Sequence, residues 1–504
     1  MRATAAVFLF FLSFPLLGAD LSVITDPLDS TDPGVPVSRP IRVVNLGPDV
    51  AQDLTLTVTL PAGVRYDIDQ TNGWSCATAS PGIICTIASL PVYPQHSGST
   101  IDGSFVFDPS LGGQSVLVRI DITASNGAAR YPWAFSTVVR QIYRVSTTAD
   151  SGAGSLRDVI DSVNTTCLRD CRIDFDLPAG SLIEPLTPLP VITACARLDV
   201  GTAPVTRTGD RAIELSGARL TTGHGLVYRA TCPGATGASP LLWINGLAIN
   251  RFPWNAIHIA EGPFICRGCF IGTDLTGRQA RANGRGISVD HEHSFVRILE
   301  SVLSGNHRSA LFAWTAREVR VEKSSIGTTP EGLPLPNGAS GIFIRHGFLV
   351  ATESTIANNR DFGIAVSTEA KMLTFANAMP QNGVQAIDYQ LDGRTLHAPN
   401  MPDVPELTGA VYDAASGKTI VTGRVTITRA GVYRHLIDLY VDDASVSTGI
   451  NLPFRVEPGD HTFTVQHTGD LRGKRVTVTN SRGYDEQDGA LAETSEMSNG
   501  ATVQ

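Results

Sequence analysis

The sequence predicts an all-β chain in three parts, a β-solenoid set between two antiparallel β-sandwiches. Three observations carry this: the composition, an alternation of residue types near both ends, and an internal repeat between them. Of 504 residues, 48 are glycine and 30 are proline, while only 17% are charged. Glycine and proline punctuate a chain into short strands, whereas long solvated helices need the charged residues that are scarce here. Leu54, Leu56, Val58 and Leu60 alternate with Thr55, Thr57 and Thr59. Toward the end, Val421, Val425 and Ile427, then Phe463 and Val465, then Val476 and Val478 keep the same rhythm. A period of two belongs to strands with one buried and one wet face.

The chain opens with Arg2, an apolar run from Ala5 to Leu17, and the small residues Gly18 and Ala19. These are the parts of a secretory signal over residues 1–19, with cleavage expected after Ala19. No other stretch reaches the roughly 20 apolar residues of a membrane helix. The mature chain is therefore expected outside the cell or on its surface, with no transmembrane segment. A net charge of −9 and the lack of a basic run exclude a nucleic-acid partner, whose binding needs clustered Lys and Arg. Six of eight cysteines fall in near pairs, Cys76 with Cys85, Cys167 with Cys171 and Cys266 with Cys269, leaving Cys195 and Cys232. In an oxidising compartment such pairs are disulfide candidates. Cys266-Arg267-Gly268-Cys269 also has the spacing of a redox motif or half a zinc site, but neither a βαβ context nor a second pair accompanies it.

Residues 20–140 form the first expected sandwich, with Val116, Val118, Ile120 and Ile122 in a second alternating strand. In residues 143–399, Ile271-Gly272-Thr273 returns as Ile326-Gly327-Thr328, 55 residues on, and Glu300-Ser301 returns as Glu353-Ser354, 53 residues on. Short β-runs between Asn and Gly corners, repeated in this way, describe stacked coils, since one coil cannot bury its own apolar face. One repeat spans about two coils. Asn250, Asn283, Asn306, Asn337, Asn358 and Asn359 are the expected corner residues, their amides bonding along the stack. Over residues 155–164, apolar side chains at 156, 159, 160 and 163 have helical spacing behind Ser155, an N-cap type. Such a helix would cover the open strand edge at the start of the solenoid. Residues 405–499 read as the closing sandwich, and the last few residues are expected to be disordered.

Several motifs add a resemblance. Ser155-Leu156-Arg157-Asp158, Ile173-Asp174-Phe175-Asp176-Leu177-Pro178, Leu189-Pro190-Val191-Ile192, Ile213-Glu214-Leu215-Ser216, Gly246-Leu247-Ala248-Ile249-Asn250 and Ile271-Gly272-Thr273-Asp274 follow one another as in secreted bacterial right-handed parallel β-helix proteins. Residues 20–140 resemble the immunoglobulin-like repeat modules of bacterial surface proteins, through Asn45-Leu46-Gly47-Pro48, Leu60-Pro61-Ala62-Gly63-Val64 and Trp74-Ser75-Cys76. The first resemblance implies a right-handed helix with adhesive or cell-envelope roles, and the second a spacer or display module whose Cys76 and Cys85 staple one hairpin.

Residues that could carry chemistry are few. A polysaccharide lyase or hydrolase needs carboxylates that converge for acid/base work or calcium, with a basic residue beside them. Asp174 and Asp176 share a strand face, and Asp290-His291-Glu292-His293 is the densest ionisable cluster. Exposed strand face and solvated corner are the plainer accounts of these two groups. Asp274 is expected to serve turn chemistry. Trp243, Trp254 and Trp314, with Phe252 and Phe264, could stack on sugar rings if exposed, or fill the core if not. The expected function is adhesion or binding of a polysaccharide or cell-surface glycan without catalysis, calcium being the one cofactor to consider. A pectate-lyase-like enzyme and a bare spacer are the alternatives.

Overall fold

The structure, a computed structural model, describes residues 18–504 apart from 27, 29, 95–97, 130–132, 168–169, 195–196, 202–212, 231–240, 390–402, 428–432, 453–457, 485–492 and 496. The signal sequence, Cys195 and Cys232 lie outside the described residues. The chain is all-β apart from one α-helix and a single 3-10 turn among the described residues, and it divides into two compact units, residues 1–142 and 143–504.

The first unit is an immunoglobulin-like β-sandwich. Ala51–Thr59 pairs antiparallel with Gly82–Leu90 on one side and Ser115–Ala124 on the other. The alternation does its expected work: Leu54, Leu56 and Val58 point inward against Val118 and Ile120, and the intervening threonines remain at or near the surface. Trp74 is buried in the same core, and its indole N–H donates to Ser99 Oγ at 2.9 Å. Cys76 and Cys85 face each other across a hairpin, Cα atoms 4.0 Å apart, and are bonded.

The second unit begins with a right-handed parallel β-helix of three parallel sheets. Sheet 1 stacks Leu226–Arg229, Asn255–Glu261, the first halves of Arg285–Leu299, Leu311–Glu322, Ile342–Thr352 and Phe362–Phe375, and then Gln385–Tyr389. The second halves of those four long strands continue round a corner into sheet 2, which also contains Asp170–Phe175, Arg197–Gly201, Leu241–Asn245 and Phe264–Arg267. Sheet 3 is made of short strands from Ser181–Ile183 to Thr355–Ile356. Ile257, Ile287, Leu311, Ile342, Ile364 and Ile387 are in register on sheet 1, and all are buried. That row is the continuous core that stacking supplies and a lone coil lacks.

Register explains the repeat. Ile287 pairs with Leu311 and Leu311 with Ile342, so the 55-residue offset is two coils. On sheet 2, Arg297 pairs with Arg320 and Arg320 with Val350, an offset of 53. The two-residue slip therefore sits in the corner between sheets 1 and 2. There the first coil carries Asp290-His291-Glu292-His293-Ser294 and its counterpart two coils on only Arg345-His346-Gly347.

Two polar ladders run through the corners. Between sheets 3 and 1, the amide of Asn283 donates to Asn306, Asn306 to Asn337, Asn337 to Asn359 and Asn359 to Asn382, each at 2.9–3.0 Å. Asn250 and Asn358 are not members. Asn250 donates to Glu214 and to the Thr273 carbonyl, and Asn358 sits beside the ladder with a φ of +59°. Between sheets 2 and 3 the expectation of Asn or Gly fails. The left-handed corner positions after Gly268 are Glu300, Lys323, Glu353 and Ala376. A second ladder holds these residues in a conformation that costs an L-residue about 1 kcal/mol or more. The hydroxyls of Ser301, Ser324 and Ser354 accept the backbone N–H of Cys269, Ser301 and Ser324, and Asn377 accepts that of Ser354. Cys269 is also bonded to Cys266, and Cys167 to Cys171.

Both ends of the solenoid are covered. The helix Leu156–Thr166, with Ser155 accepting the Asp158 N–H as N-cap, lays Leu156, Val159, Ile160 and Val163 on the first coil. At the other end an antiparallel sandwich follows, with Lys418–Ile427 paired to Gly459–Thr468 in one sheet and Tyr433–Val441 to Arg475–Tyr484 in the other. It meets the solenoid edge through a bridge between Ala378 and Ala444 and through Thr494, whose hydroxyl accepts the Thr374 N–H. The last residues are ordered, contrary to expectation: Ala501–Thr502 pairs with Arg475–Tyr484, and Val503 is buried. A strand with a ladder partner and an inward valine has little reason to fray.

Candidate functional site

The outer side of sheet 1 and the corner before it bring together aromatic and ionisable side chains from several coils. Side chains in a strand alternate between its faces, so the residues one step from the buried isoleucine row belong to the outer face, where Ser288 and Ala365 are themselves covered by their neighbours. In register these are Val227, His258, Ser288, Phe312, Phe343 and Ala365. Phe312 and Phe343 stack with centroids 4.9 Å apart and planes 10° from parallel, as adjacent coils require. Trp314, 47% exposed, lies alongside Phe312, and the Arg345 guanidinium covers its ring at 3.8 Å. At the corner before the strand that carries His258 stands Trp254, 52% exposed.

The polar part of the face centres on two histidines. His224 and His258 stack at 4.6 Å, and Trp254 meets His224 edge-on at 5.0 Å. His224 Nδ1 accepts the Asn255 N–H, which leaves its proton on Nε2 in the neutral form. Burial, followed by the neighbouring His258, pushes the His224 pKa down to about 4. His258 is lowered too, first by burial, while Asp290 opposes the shift and Arg229 adds to it. The Asp290 carboxylate stands 3.6 Å from His258 Nδ1, too far for a hydrogen bond, so that nitrogen is buried without one. Ser288 donates its hydroxyl to Asp290 at 3.2 Å.

A depression of about 400 Å³ adjoins this group, lined by Arg285, Arg308, Ser340, Phe312, Phe343 and Asp361 among others. Arg285 lies over the Phe312 ring at 4.4 Å, and its pKa is lowered by burial and by the charge of Arg308.

The structure separates several residues that the sequence grouped. Trp243 is on sheet 2, where it pairs with Ile265, away from Trp314 on sheet 1 and from Trp254 at the corner before it. Phe252 and Phe264 are core, 1% and 0% exposed. Asp174 is held by Arg172 through two hydrogen bonds of 2.6 and 2.8 Å on sheet 2, and Asp176 is exposed just beyond that strand. Of the acidic cluster, Asp290 faces the histidine pair, while Glu292 turns outward beside His293 at 3.9 Å. Asp274 accepts the N–H groups of Thr276, Arg278 and Gln279, so it fastens its own turn. Among the described residues no three His, Cys, Asp or Glu side chains are placed to hold a metal ion.

His224, His258, Arg285, Arg308, Phe312 and Phe343 escape sequence reading, because they belong together only once coil register is known. A buried group was missed for the same reason: Glu214, 4% exposed, takes hydrogen bonds from Arg281 and Asn250 and has Arg251 at 3.7 Å.

No protein family and no curated protein matches this chain. Among solved structures, the A-module of a mannuronan C-5 epimerase from Azotobacter vinelandii aligns at 11% identity over 52% of this chain and 89% of its own, with a TM-score of 0.25. An enzymatically active tailspike domain of bacteriophage CBA120 aligns at 10% identity over 77% and 84%, with a TM-score of 0.21. A cohesin module from a Clostridium perfringens family 33 glycoside hydrolase aligns at 9% identity over 24% and 97%, with a TM-score of 0.19. Scores this low carry no argument. The β-helix is established by its strand pairing.

Proposed function

We propose that the chain is an exported glycan-binding protein whose binding face is the outer side of sheet 1. The observation that carries this is the group of exposed or half-exposed rings, Trp254, Phe312, Phe343 and Trp314, carried on three coils beside hydrogen-bonding groups from His224, Ser288 and Asp290. Flat rings contact the apolar faces of sugars while polar neighbours fix their hydroxyls. A bare spacer has no use for exposed tryptophans beside a polar cluster. The three disulfides among the described residues support export, since such bonds persist in oxidising compartments. No helix among the described residues is long and apolar enough to cross a membrane. The N-terminal sandwich then serves as a display module.

A second reading has an observation of its own. His258 and Asp290 come from adjacent coils, and Arg285 senses the Asp290 charge, so a carboxylate, a base and an arginine converge on one face. That is the disposition a polysaccharide lyase or hydrolase requires.

A glycan-array screen of the mature chain, paired with a depolymerisation assay with and without calcium, separates the two. Saturable binding without cleavage is expected, weakened at least about tenfold by Trp254→Ala or Trp314→Ala, as for an anchoring aromatic, and unaffected by Trp243→Ala. New unsaturated or reducing ends, lost in His258→Gln, would establish the enzyme. Failure to bind any glycan would return the chain to a spacer.

A further inference from the structure

The depression beside the ring line has a chemistry of its own. Arg308 and Asp361 occupy the same position two coils apart, and Arg285 stands one coil before Arg308 and one residue further along the strand direction. At about 4.8 Å per coil, this places Arg308 and Asp361 roughly 10 Å apart along the stack, with the Phe312 and Phe343 rings beside them. Among the described residues neither Arg285 nor Arg308 has a carboxylate within ion-pair distance, although arginines 251, 267, 278, 281, 297 and 320 of the same solenoid each have one. Two neighbouring like charges, one of them half-buried over a phenyl ring, repel each other and lower the stability of the fold. In a chain of net charge −9 they form a local positive site that folding by itself does not explain.

We infer that this depression is the subsite for a negatively charged sugar residue, its carboxylate or sulfate held by Arg285 and Arg308 and its ring resting on Phe312 and Phe343. The inference rests on the glycan-binding reading and names the ligand class. A guanidinium presents paired N–H donors that match a carboxylate or sulfate edge, which a neutral sugar cannot use. One pyranose ring is about as wide as one coil step, so its charged group reaches the arginine pair while its hydroxyls reach Ser340 and Asp361, which has no ion pair among the described residues. The neutral histidine pair then lies at the next position along the chain of sugars.

The test is titration calorimetry of the mature full-length chain at low salt with polygalacturonate, its methyl ester, dextran sulfate, dextran and inorganic polyphosphate. One or both acidic polysaccharides are expected to bind at least about tenfold more tightly than the neutral ones, and the preferred polymer tells carboxylate from sulfate. Arg285→Gln and Arg308→Gln should each remove about tenfold of that preference while leaving the far-UV spectrum unchanged, and Arg285→Lys should restore part of it. The preference should shrink as salt rises. Equal binding of polygalacturonate and its methyl ester, with dextran sulfate no tighter than dextran, overturns the anion subsite but leaves glycan binding standing. Polyphosphate bound as tightly as the acidic sugars overturns the inference in favour of charge alone. No binding to any polymer overturns both readings.

Discussion

His224 shows how one residue can register its surroundings as a dependence on pH. Its folded pKa of about 4 lies below the usual 6.5, because burial and His258 both oppose the charged ring. Between these values the unfolded chain binds a proton that the folded chain refuses, so stability falls as pH drops through this window and the loss is complete below about 4. His224→Gln lacks the titrating ring, so its unfolding midpoint relative to the parent is expected to improve steadily from pH 6.5 to pH 4. Thermal scans at pH 7, 5.5 and 4.5 give the answer, and a parallel pH dependence for the two proteins would refute the account. The same face thus combines two histidines whose charged forms are opposed by burial, His224 and His258, with two arginines, Arg285 and Arg308. Such a division favours hydrogen bonding in one half and ionic recognition in the other.

At the scale of the element, the corner ladders do what the short strands cannot. Strands of sheet 3 such as Val302–Leu303 and Ser325–Ile326 are two residues long, so few ladder bonds hold each one. The asparagine ladder supplies side-chain bonds at every coil from Asn283 to Asn382. Asn306 donates to Asn337 and to the Ile271 carbonyl and accepts from Asn283. Asn306→Ala would leave those buried partners unpaired, at a cost on the order of 2 to 4 kcal/mol. Asn358→Gly, next to the ladder member Asn359 and already left-handed, is expected to be near neutral. Urea denaturation followed by circular dichroism measures both, and similar losses at the two sites would mean the ladder is dispensable.

For the whole second unit the issue is edges. A parallel stack ends in a strand with unpaired N–H and C=O groups, which invites pairing with another chain. The helix Leu156–Thr166 closes the first end, and the C-terminal sandwich closes the other through Ala444 and Thr494. Removing residues 405–504 is therefore expected to convert the protein into concentration-dependent oligomers or aggregates, seen by light scattering. A monomer of unchanged unfolding midpoint would show that the solenoid end needs no cover.

The sequence by itself determined the elements and their class. Alternation at Leu54–Leu60 and Val421–Ile427, the spacing behind Ser155, and the echo of Ile271-Gly272-Thr273 each depend on neighbours within a few residues or on exact repetition, which a linear string records. It also marked the near cysteines as disulfide candidates, but their pairing was left to the structure. Only the tertiary structure decided which outward residues share a face. Coils here differ in length, Ile287 lying 24 residues before its partner Leu311 and Leu311 lying 31 before Ile342, so no fixed period aligns His258, Phe312 and Arg308. Trp243 and Trp254 look alike in the string but one lies on sheet 2 and the other at the corner leading into sheet 1, and Asn382 completes a ladder from which Asn250 is excluded. A binding face on a solenoid is set by register between coils, and register is a property of the stacked backbone that no single coil contains.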